Sequence, residues 1–243
     1  MTSRFEELAW QQTPMGEISL RRRLDPVVKT QVYEVKLGDE FLMSSMFPVA
    51  EIELARLGLA LLTDSPAGPA GLDVVVGGLG LGYTARTVLE DDRVRSLIVV
   101  DTLAEVIAWH RQGLLPFATQ LITDDRCRLL HGDFFGLTAG HSGYDPDAPG
   151  RPVHAILLDV DHSPRHLLHP AHADFYTADG LRALAAHLHP GGVFGLWSND
   201  PPDDEFIAVL GKVFTGVRAE VVTFDNPLQD RAAANTVYLA RRT

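Results

Sequence analysis

Four apolar runs in this chain end on a glycine turn or on acidic residues, and this repeated ending limits the folds that the chain can adopt. The runs are DVVVGGLGLG at 73–82, LIVVD ending at Asp101, CRLLHGD ending at Asp133, and HAILLDVD ending at Asp159 and Asp161. Short apolar runs bounded by turn residues indicate buried strands. Because ligands bind at the carboxyl ends of strands in an open α/β sheet, the four endings predict one pocket suited to a nucleoside.

Strands and helical segments alternate through most of the remaining chain. The pattern predicts strands at 72–77, 96–101, 127–131, 153–159 and 192–198, with helices interleaved. Regular alternation of this kind is typical of a parallel sheet with right-handed crossovers on both faces. The final runs VRAEVVTF and TVYLARR are joined by the turn-rich DNPLQD, which predicts a hairpin at the end of the chain.

The first 60 residues follow a different pattern. Apolar and polar residues alternate in three runs, at 17–24, 29–37 and 40–45. This alternation predicts a small antiparallel hairpin unit with one solvated face. A helical spacing follows, and SPAGPAG at 65–71 interrupts it. We therefore predict an N-terminal β-hairpin unit with a connecting helix at 1–64 and a cofactor-binding domain at 65–243.

Composition excludes several classes of partner. The 243 residues include 21 Lys and Arg against 32 Asp and Glu, and the net charge of −11 disfavours binding to a nucleic-acid backbone. No apolar run approaches the length of a membrane span, and the start of the chain lacks an apolar signal core. The single cysteine, Cys127, excludes an intramolecular disulfide and favours a reducing compartment. We expect a cytoplasmic protein without a nucleic-acid or membrane partner.

A glycine loop and a carboxylate have the spacing of a nucleotide site. Gly78, Gly80 and Gly82 follow a valine run and precede a predicted helix, so backbone N–H groups could approach a ligand there. Asp101 ends the next strand, where its carboxylate could accept the hydroxyls of a ribose. An acidic helix cap is the alternative for Asp101, and NAD dehydrogenases share the same pair of features.

The next two strand endings add a second set of polar groups. Asp133 and Phe134 could accept an adenine amino group and cover the ring, or could be a helix cap followed by a core side chain. Asp159 and Asp161 are two residues apart in an extended segment and are expected to share a face. Two carboxylates could hold an ammonium group or accept the proton that an amine loses before it attacks. The alternative for this pair is a turn and a cap with solvated charges.

These residues carry a family resemblance. VVVGGLGLGYTARTVLE, VVD, HGDFF, HAILLDVDHSP and FYTADGLRALAAHLHPGGVFGLWS occur in this order, and together they resemble the polyamine aminopropyltransferase (spermidine synthase) family over about residues 72–200. The resemblance implies a Rossmann-like methyltransferase fold, a mostly parallel seven-stranded sheet with an antiparallel last strand, behind a small N-terminal β unit. It also implies a transferase that uses S-adenosylmethionine or decarboxylated S-adenosylmethionine and passes an aminopropyl group to a small amine.

The resemblance implies a role for each matching residue. Gly78, Gly80 and Gly82 would line the cofactor, Asp101 would bind its ribose, and Asp133 would bind its adenine amino group. Asp159 would deprotonate or orient the attacking amine, because it matches the first aspartate of the family's Asp-Ser-Ser-Asp-Pro signature. That signature reads Asp-Val-Asp-His-Ser-Pro at 159–164, so Asp161 and His162 are expected to position the acceptor.

Two departures from the family pattern favour altered substrate or chemistry. The glycine loop GGLGLG has leucines where the family usually has an aspartate that recognises the aminopropyl end of the cofactor. The family's Tyr-His-Glu motif becomes Val-Ala-Glu and retains only Glu51, a candidate for acceptor binding. Trp197 follows a predicted strand and could be either a substrate wall or a core side chain.

A run of four histidines, HSPRHLLHPAH at 162–172, raises the question of a metal. His162 and His166 would share a helix face if the segment were helical. Pro164 and Pro170 interrupt such a helix, and a zinc site requires further ligands in a defined geometry, so we expect no metal. By resemblance this segment is a lid over the amine site, where His162 could contact the substrate.

The same sequence features are compatible with other functions. A methyltransferase that uses S-adenosylmethionine is the nearest alternative, because it would not need the missing loop aspartate. A nucleoside-binding homologue without catalysis and an NAD enzyme are the others. Exposed strand edges in the N-terminal unit favour a homodimer, since unpaired edges invite pairing.

Overall fold

The computed structural model describes residues 5–62, 71–229 and 231–243. The strands are β1 (Phe5–Thr13), β2 (Gly16–Leu24), β3 (Gln31–Leu37), β4 (Glu40–Ser44), β5 (Leu72–Gly77), β6 (Val94–Asp101), β7 (Cys127–His131), β8 (Val153–Leu158), β9 (Leu188–Ser198), β10 (Thr215–Asn226) and β11 (Arg231–Arg241). The helices are α1 (Val49–Ala60), α2 (Tyr83–Leu89), α3 (Ala104–Arg111), α4 (Ala118–Thr123), α5 (Phe134–Ala139), α6 (Ala178–Ala186) and α7 (Asp204–Leu210), with a 3-10 helix at Pro170–Tyr176. Within the described ranges, every helix is too short or too polar to cross a membrane. The boundary predicted at residue 65 lies outside the described residues, and the division into two parts stays a prediction.

The N-terminal unit is an antiparallel sheet in the order β1-β2-β3-β4. The predicted hairpin unit is therefore confirmed, with one strand more than expected. Strand β1 escaped prediction because its apolar side chains do not alternate into the core: Trp10, for example, is half exposed. The pairing of β1 with β2 along its length supplies the hydrogen bonds that hold it in place.

The main sheet has seven strands in the order β10-β11-β9-β8-β5-β6-β7. Strands β9, β8, β5, β6 and β7 are parallel, and β11 pairs antiparallel with both of its neighbours. The last two strands form the predicted hairpin. The Rossmann-like α/β sheet with an antiparallel last strand is thus confirmed.

Each face of the main sheet is covered by its own apolar core. One core contains side chains from the four helices α1, α2, α3 and α4. The N-terminal sheet contributes Ile18, Leu20 and Val35 to it. The other core joins α5, α6 and α7 and is rich in aromatic rings. Because the N-terminal sheet shares the first core, it is held against the main sheet on the side of α1.

Helix α1 lies directly on strands β8 and β9 at two glycines. A Cβ atom at Gly58 would come within 2.7 Å of a Leu157 methyl carbon, and one at Gly195 would come within 2.9 Å of the same atom. Interiors are packed too closely to absorb such overlaps. The absent side chains at both positions therefore set how closely the helix approaches the sheet, with Leu157 filling the space between them.

The single cysteine, Cys127, begins strand β7 at the edge of the main sheet and is partly buried. Burial is the largest influence on its thiol and raises the pKa to about 12. Desolvation disfavours the charged thiolate, which is the reactive form. The structure therefore gives this cysteine the properties of a packed side chain.

We expect Leu157→Ala to lower the free energy of unfolding by about 2–5 kcal/mol, because the fully buried side chain fills the gap between two glycines that cannot close further. Urea unfolding measures the change. The control is Ile122→Ala on the exposed end of α4, which should shift the same free energy by less than about 0.5 kcal/mol. Equal effects of the two substitutions would contradict this packing.

Candidate active site

A cavity of about 1430 Å³ opens at the carboxyl ends of β5, β6 and β8, beneath the N-terminal sheet. This volume exceeds the common range for single small-molecule sites and can hold two ligands side by side. Among the residues predicted from the sequence, Asp161 does not line it. Those that do are Glu51, Gly78, Gly80, Gly82, Asp101, Asp133, Phe134, Asp159, His162 and Trp197.

The glycine loop needs its glycines for close approach and for backbone conformation. Gly78 has φ +93°, and a Cβ atom there would overlap the carbonyl oxygen of Asp159. Gly82 has φ +91° and is the N-cap of α2. Side chains are strained in this left-handed region, which glycine enters freely. The loop after β5 therefore packs against the turn after β8, and its backbone lines the cavity.

Asp101 supports the glycine loop as well as lining the cavity. Its carboxylate accepts hydrogen bonds from the backbone N–H groups of Leu79 at 2.9 Å and Leu103 at 2.7 Å. Burial raises the pKa of Asp101, while these N–H groups oppose the rise. The bond to Leu103 holds the N-cap residue of α3, which no side chain caps, so Asp101 is not the helix cap that was the alternative for it. A carboxylate has about four lone-pair sites, so further acceptor positions remain for a ligand.

Asp133 and the two phenylalanines after it lie in different surroundings. Asp133 caps α5 by accepting from the N–H of Phe135 at 3.0 Å, and it is exposed where it lines the cavity. The Phe134 ring is 3% exposed and stacks on Tyr144 with centroids 5.3 Å apart. Phe134 is therefore a core side chain that also borders the cavity. The ring of Phe135 is more accessible and stacks on that of His172, with centroids 3.9 Å apart. The sequence analysis did not identify Phe135.

Asp159 and Glu51 form the acidic centre of the cavity. The hydroxyl of Thr84 lies 3.3 Å from Oδ2 of Asp159 and 3.2 Å from the carbonyl oxygen of Glu51. Burial raises the pKa of Asp159 to about 6. Burial and the nearby charge of Asp159 raise the pKa of Glu51 to about 8. The two groups thus hold a proton between them at neutral pH, because two buried like charges disfavour each other.

Asp161 is separated from Asp159, contrary to the expectation of a shared face. It is 1% exposed and accepts three hydrogen bonds, from the N–H of Leu168 at 2.7 Å, Nδ1 of His172 at 2.8 Å and the hydroxyl of Tyr176 at 2.9 Å. Strand β8 ends at Leu158, so the alternation of a strand no longer applies at residue 161. Direct contact between Asp161 and an acceptor amine does not fit this placement, and Asp161 instead anchors the segment 162–176.

The histidine segment is not helical from 162 to 169, so His162 and His166 do not share a helix face. His162 lines the cavity, and its Nε2 lies 3.0 Å from Oε1 of Glu40 in the N-terminal sheet. His166 instead pairs with Asp200 at 2.8 Å. In the described part of the chain, no three His, Cys, Asp or Glu side chains are grouped so that they could hold a metal ion.

Two buried polar atoms at the cavity have no hydrogen-bond partner among the described residues. They are Oε2 of Glu51 and the indole Nε1 of Trp197, and both residues line the cavity. Buried polar atoms normally have a hydrogen-bond partner, so these two exceptions indicate that a partner is missing. A ligand with a donor for Glu51 and an acceptor for Trp197 would supply it.

We expect Asp161→Asn to loosen the segment 162–176, because an amide cannot accept from all three donors. Amide hydrogen exchange at Leu168 should become at least about tenfold faster, a change of roughly 1.4 kcal/mol in local opening. The matched control is Asp200→Asn, which breaks the more exposed pair with His166 in the same segment. If the two variants behave alike, Asp161 is not the anchor.

Comparison with known proteins identifies a relative in sequence. No family model matches the chain. Polyamine aminopropyltransferase 2 from Pseudomonas aeruginosa is 30% identical over 165 residues, which are 63% of this chain and 43% of that protein. The chain thus spans less than half the length of this curated relative.

Two solved structures share the fold. Spermidine synthase from Thermotoga maritima has a TM-score of 0.71 at 17% identity, covering 98% of this chain and 73% of that one. Human Methyltransferase-like protein 13 in complex with SAH has a TM-score of 0.58 at 21% identity, covering 80% and 82%. At these identities the structures show the fold alone. The resemblance indicated by the motifs is confirmed: this chain is similar in sequence to a polyamine aminopropyltransferase and has the fold that spermidine synthases share with methyltransferases.

Proposed function

We propose that this chain is a transferase that moves an aminopropyl group from decarboxylated S-adenosylmethionine to an amine. The observation that carries the proposal is the placement of Asp159 and Glu51 beside the glycine loop. Carboxylates in this position can hold a cationic amine and take its proton next to a nucleoside-sized space. The similarity to an aminopropyltransferase supports the same reading.

The residues around the cavity fit a sulfonium nucleoside. The glycine loop leaves a cradle that side chains would fill, with Gly78 and Gly82 in the left-handed region. Asp101 retains acceptor positions for ribose hydroxyls, and Asp133 presents an exposed carboxylate for an amino group on the base. When bound, the sulfonium supplies an electrophilic carbon that needs no covalent help from the protein.

The carboxylates prepare the attacking amine. Burial raises the pKa of both carboxyl groups, and the charge of Asp159 raises the pKa of Glu51 further, so Asp159 is the group of the pair that ionises at the lower pH. Asp159 can therefore accept the proton as the amine nitrogen forms its bond to the carbon beside sulfur. The sulfonium would supply the leaving group, which would depart as a neutral thioether with the electron pair of the carbon–sulfur bond. Positioning of the two reactants supplies most of the remaining acceleration.

Methyl transfer on the same scaffold is the second candidate. The leucines at 79 and 81 favour it, because the loop offers no carboxylate to the ammonium group of an aminopropyl chain. A methyltransferase must accommodate the cofactor's own carboxylate, and a loop without an acidic side chain does not repel one. Both candidates require the same nucleoside pocket.

We also propose that the protein is a cytoplasmic homodimer with a small cationic substrate. A homodimer is supported by β1 and β4, the two outer strands of the N-terminal sheet in the described structure. A cytoplasmic location is supported by the single cysteine. The net charge of −11 supports a small cationic substrate over a nucleic acid.

Titration calorimetry with S-adenosylmethionine, decarboxylated S-adenosylmethionine and methylthioadenosine tests the choice of cofactor. We expect the last two to bind more tightly than the intact cofactor, because an aminopropyltransferase has no need to accommodate its carboxylate. A preference for S-adenosylmethionine would make the chain a methyltransferase. Absence of binding by all three compounds would contradict the presence of a nucleoside pocket.

Asp159→Asn should lower kcat at least about 100-fold, since the amide cannot take the proton of the amine. Methylthioadenosine should still bind within about threefold of the unchanged protein. In the unchanged protein, kcat should rise as the pH passes through about 6, because the raised pKa of Asp159 keeps the base protonated below that pH. Steady-state kinetics across pH 5–8 measures both effects.

The control for Asp159→Asn is Asp133→Asn, which should weaken methylthioadenosine binding and change kcat less. If Asp159→Asn lost nucleoside affinity and turnover in equal measure, Asp159 would be a binding residue and not the base.

A further inference from the structure

One wall of the cavity is almost entirely apolar. It is contributed by the N-terminal sheet and the link to α1, and we call it the apolar wall: Met15, Leu37, Phe41, Leu42, Met43 and Phe47. Phe47 stacks on Phe224 of β10 at 5.5 Å, which extends the apolar surface towards the main sheet. The wall thus joins the N-terminal sheet to the main sheet at one end of the cavity.

The apolar wall begins beside the acidic centre. The sulfur of Met43 would lie 3.4 Å from a Cβ atom at Gly80, so β4 covers the glycine loop directly. Glu51 lies in the first turn of α1, four residues after Phe47. A molecule whose nitrogen reaches Asp159 and Glu51 can thus continue along this wall.

Few acidic groups lie along the apolar wall to bind a second ammonium group of an acceptor. Among the described residues of the wall's own elements, Glu40 is the one acid at the cavity; it already contacts His162 at 3.0 Å, and its side chain is 57% exposed. Asp101 lies at the end of β6 and accepts from the N–H of Leu79 in the glycine loop. The remaining lining acids, Asp133, Asp174 and Asp179, belong to the α5 and α6 side of the main sheet. A second charge on the acceptor would therefore lose water along the wall without gaining a buried partner.

The outer end of the apolar wall faces solvent. Met15 is 47% exposed and Phe41 is 56% exposed, although both line the cavity. Exposed apolar surface that continues into a cavity is typical of a ligand-binding groove. The apolar body of a ligand would cover these two side chains.

We propose that the acceptor is a primary monoamine with an apolar alkyl or aryl body, whose nitrogen lies at Asp159 and Glu51 and whose body lies along the apolar wall. This inference rests on the proposed function and names the acceptor class of the same site. An α,ω-diamine of equal length is the disfavoured acceptor, because its second ammonium lies against the apolar side chains of the wall.

Calorimetry on the protein saturated with methylthioadenosine tests the inference with matched pairs of amines at pH 7. The pairs are butylamine with 1,4-diaminobutane and hexylamine with 1,6-diaminohexane. We expect each monoamine to bind at least about tenfold more tightly than its diamine. Each added methylene of the monoamine should tighten binding about fourfold, the value for one buried methylene.

Two variants of the wall make the test specific. Phe41→Ser and Met15→Ser should each weaken hexylamine binding at least about fivefold and butylamine binding less, since the shorter chain does not reach the outer end. The matched control is Val27→Ser, which removes a similarly exposed apolar side chain from the opposite end of the N-terminal sheet. It should leave both affinities unchanged.

The outcomes separate this inference from the proposed function. Diamines that bind as tightly as monoamines would overturn the inference, and loss of that binding in Glu40→Gln would place the second ammonium at Glu40. Absence of binding by every amine would also overturn it. Transfer is scored in a separate assay with decarboxylated S-adenosylmethionine. Monoamine binding without transfer would contradict the proposed function alone, and transfer to diamines in preference to monoamines would contradict the inference alone.

Discussion

The backbone of the glycine loop lies directly against the turn after β8, and the geometry of the site depends on this approach. The N–H of Asp159 donates to the carbonyl of Gly77 at 2.8 Å, and the N–H of Gly78 donates to the carbonyl of Val100 at 2.9 Å. Three strand ends are thus joined by main-chain hydrogen bonds. The position of the Asp159 carboxylate is therefore set by backbone, which moves less than a side chain would.

Helix α1, which follows the N-terminal sheet, contributes a carboxyl group to the site. Glu51 comes from α1 and Asp159 from the main sheet, and Thr84 at the start of α2 contacts both chain segments. Bringing two carboxyl groups into one cavity raises the free energy of the fully ionised state. A cation placed between them relieves that cost, so the ligand-free arrangement is already complementary to a protonated amine.

Strand ends were the part of this site that the sequence predicted well, and turns were the part that it did not. Glycines after β5, Asp101 at the end of β6 and Asp159 after β8 can be located because buried strands have a recognisable length and their ends meet at one edge of the sheet. Asp161 could not be located, because the alternation rule stops where β8 stops. The choice between Phe134 and Phe135 depends on where α5 begins, and the contact between His162 and Glu40 joins residues 122 positions apart.

The high pKa of Cys127 has a practical consequence. A thiol that keeps its proton up to about pH 12 contains almost no thiolate at neutral pH and reacts slowly with electrophiles. A cysteine introduced in place of an exposed residue such as Phe41 would therefore be the preferred target of a thiol-directed fluorophore in the otherwise unaltered chain. The mouth of the cavity can be labelled without first removing the natural cysteine, and ligand binding there can then be followed by fluorescence.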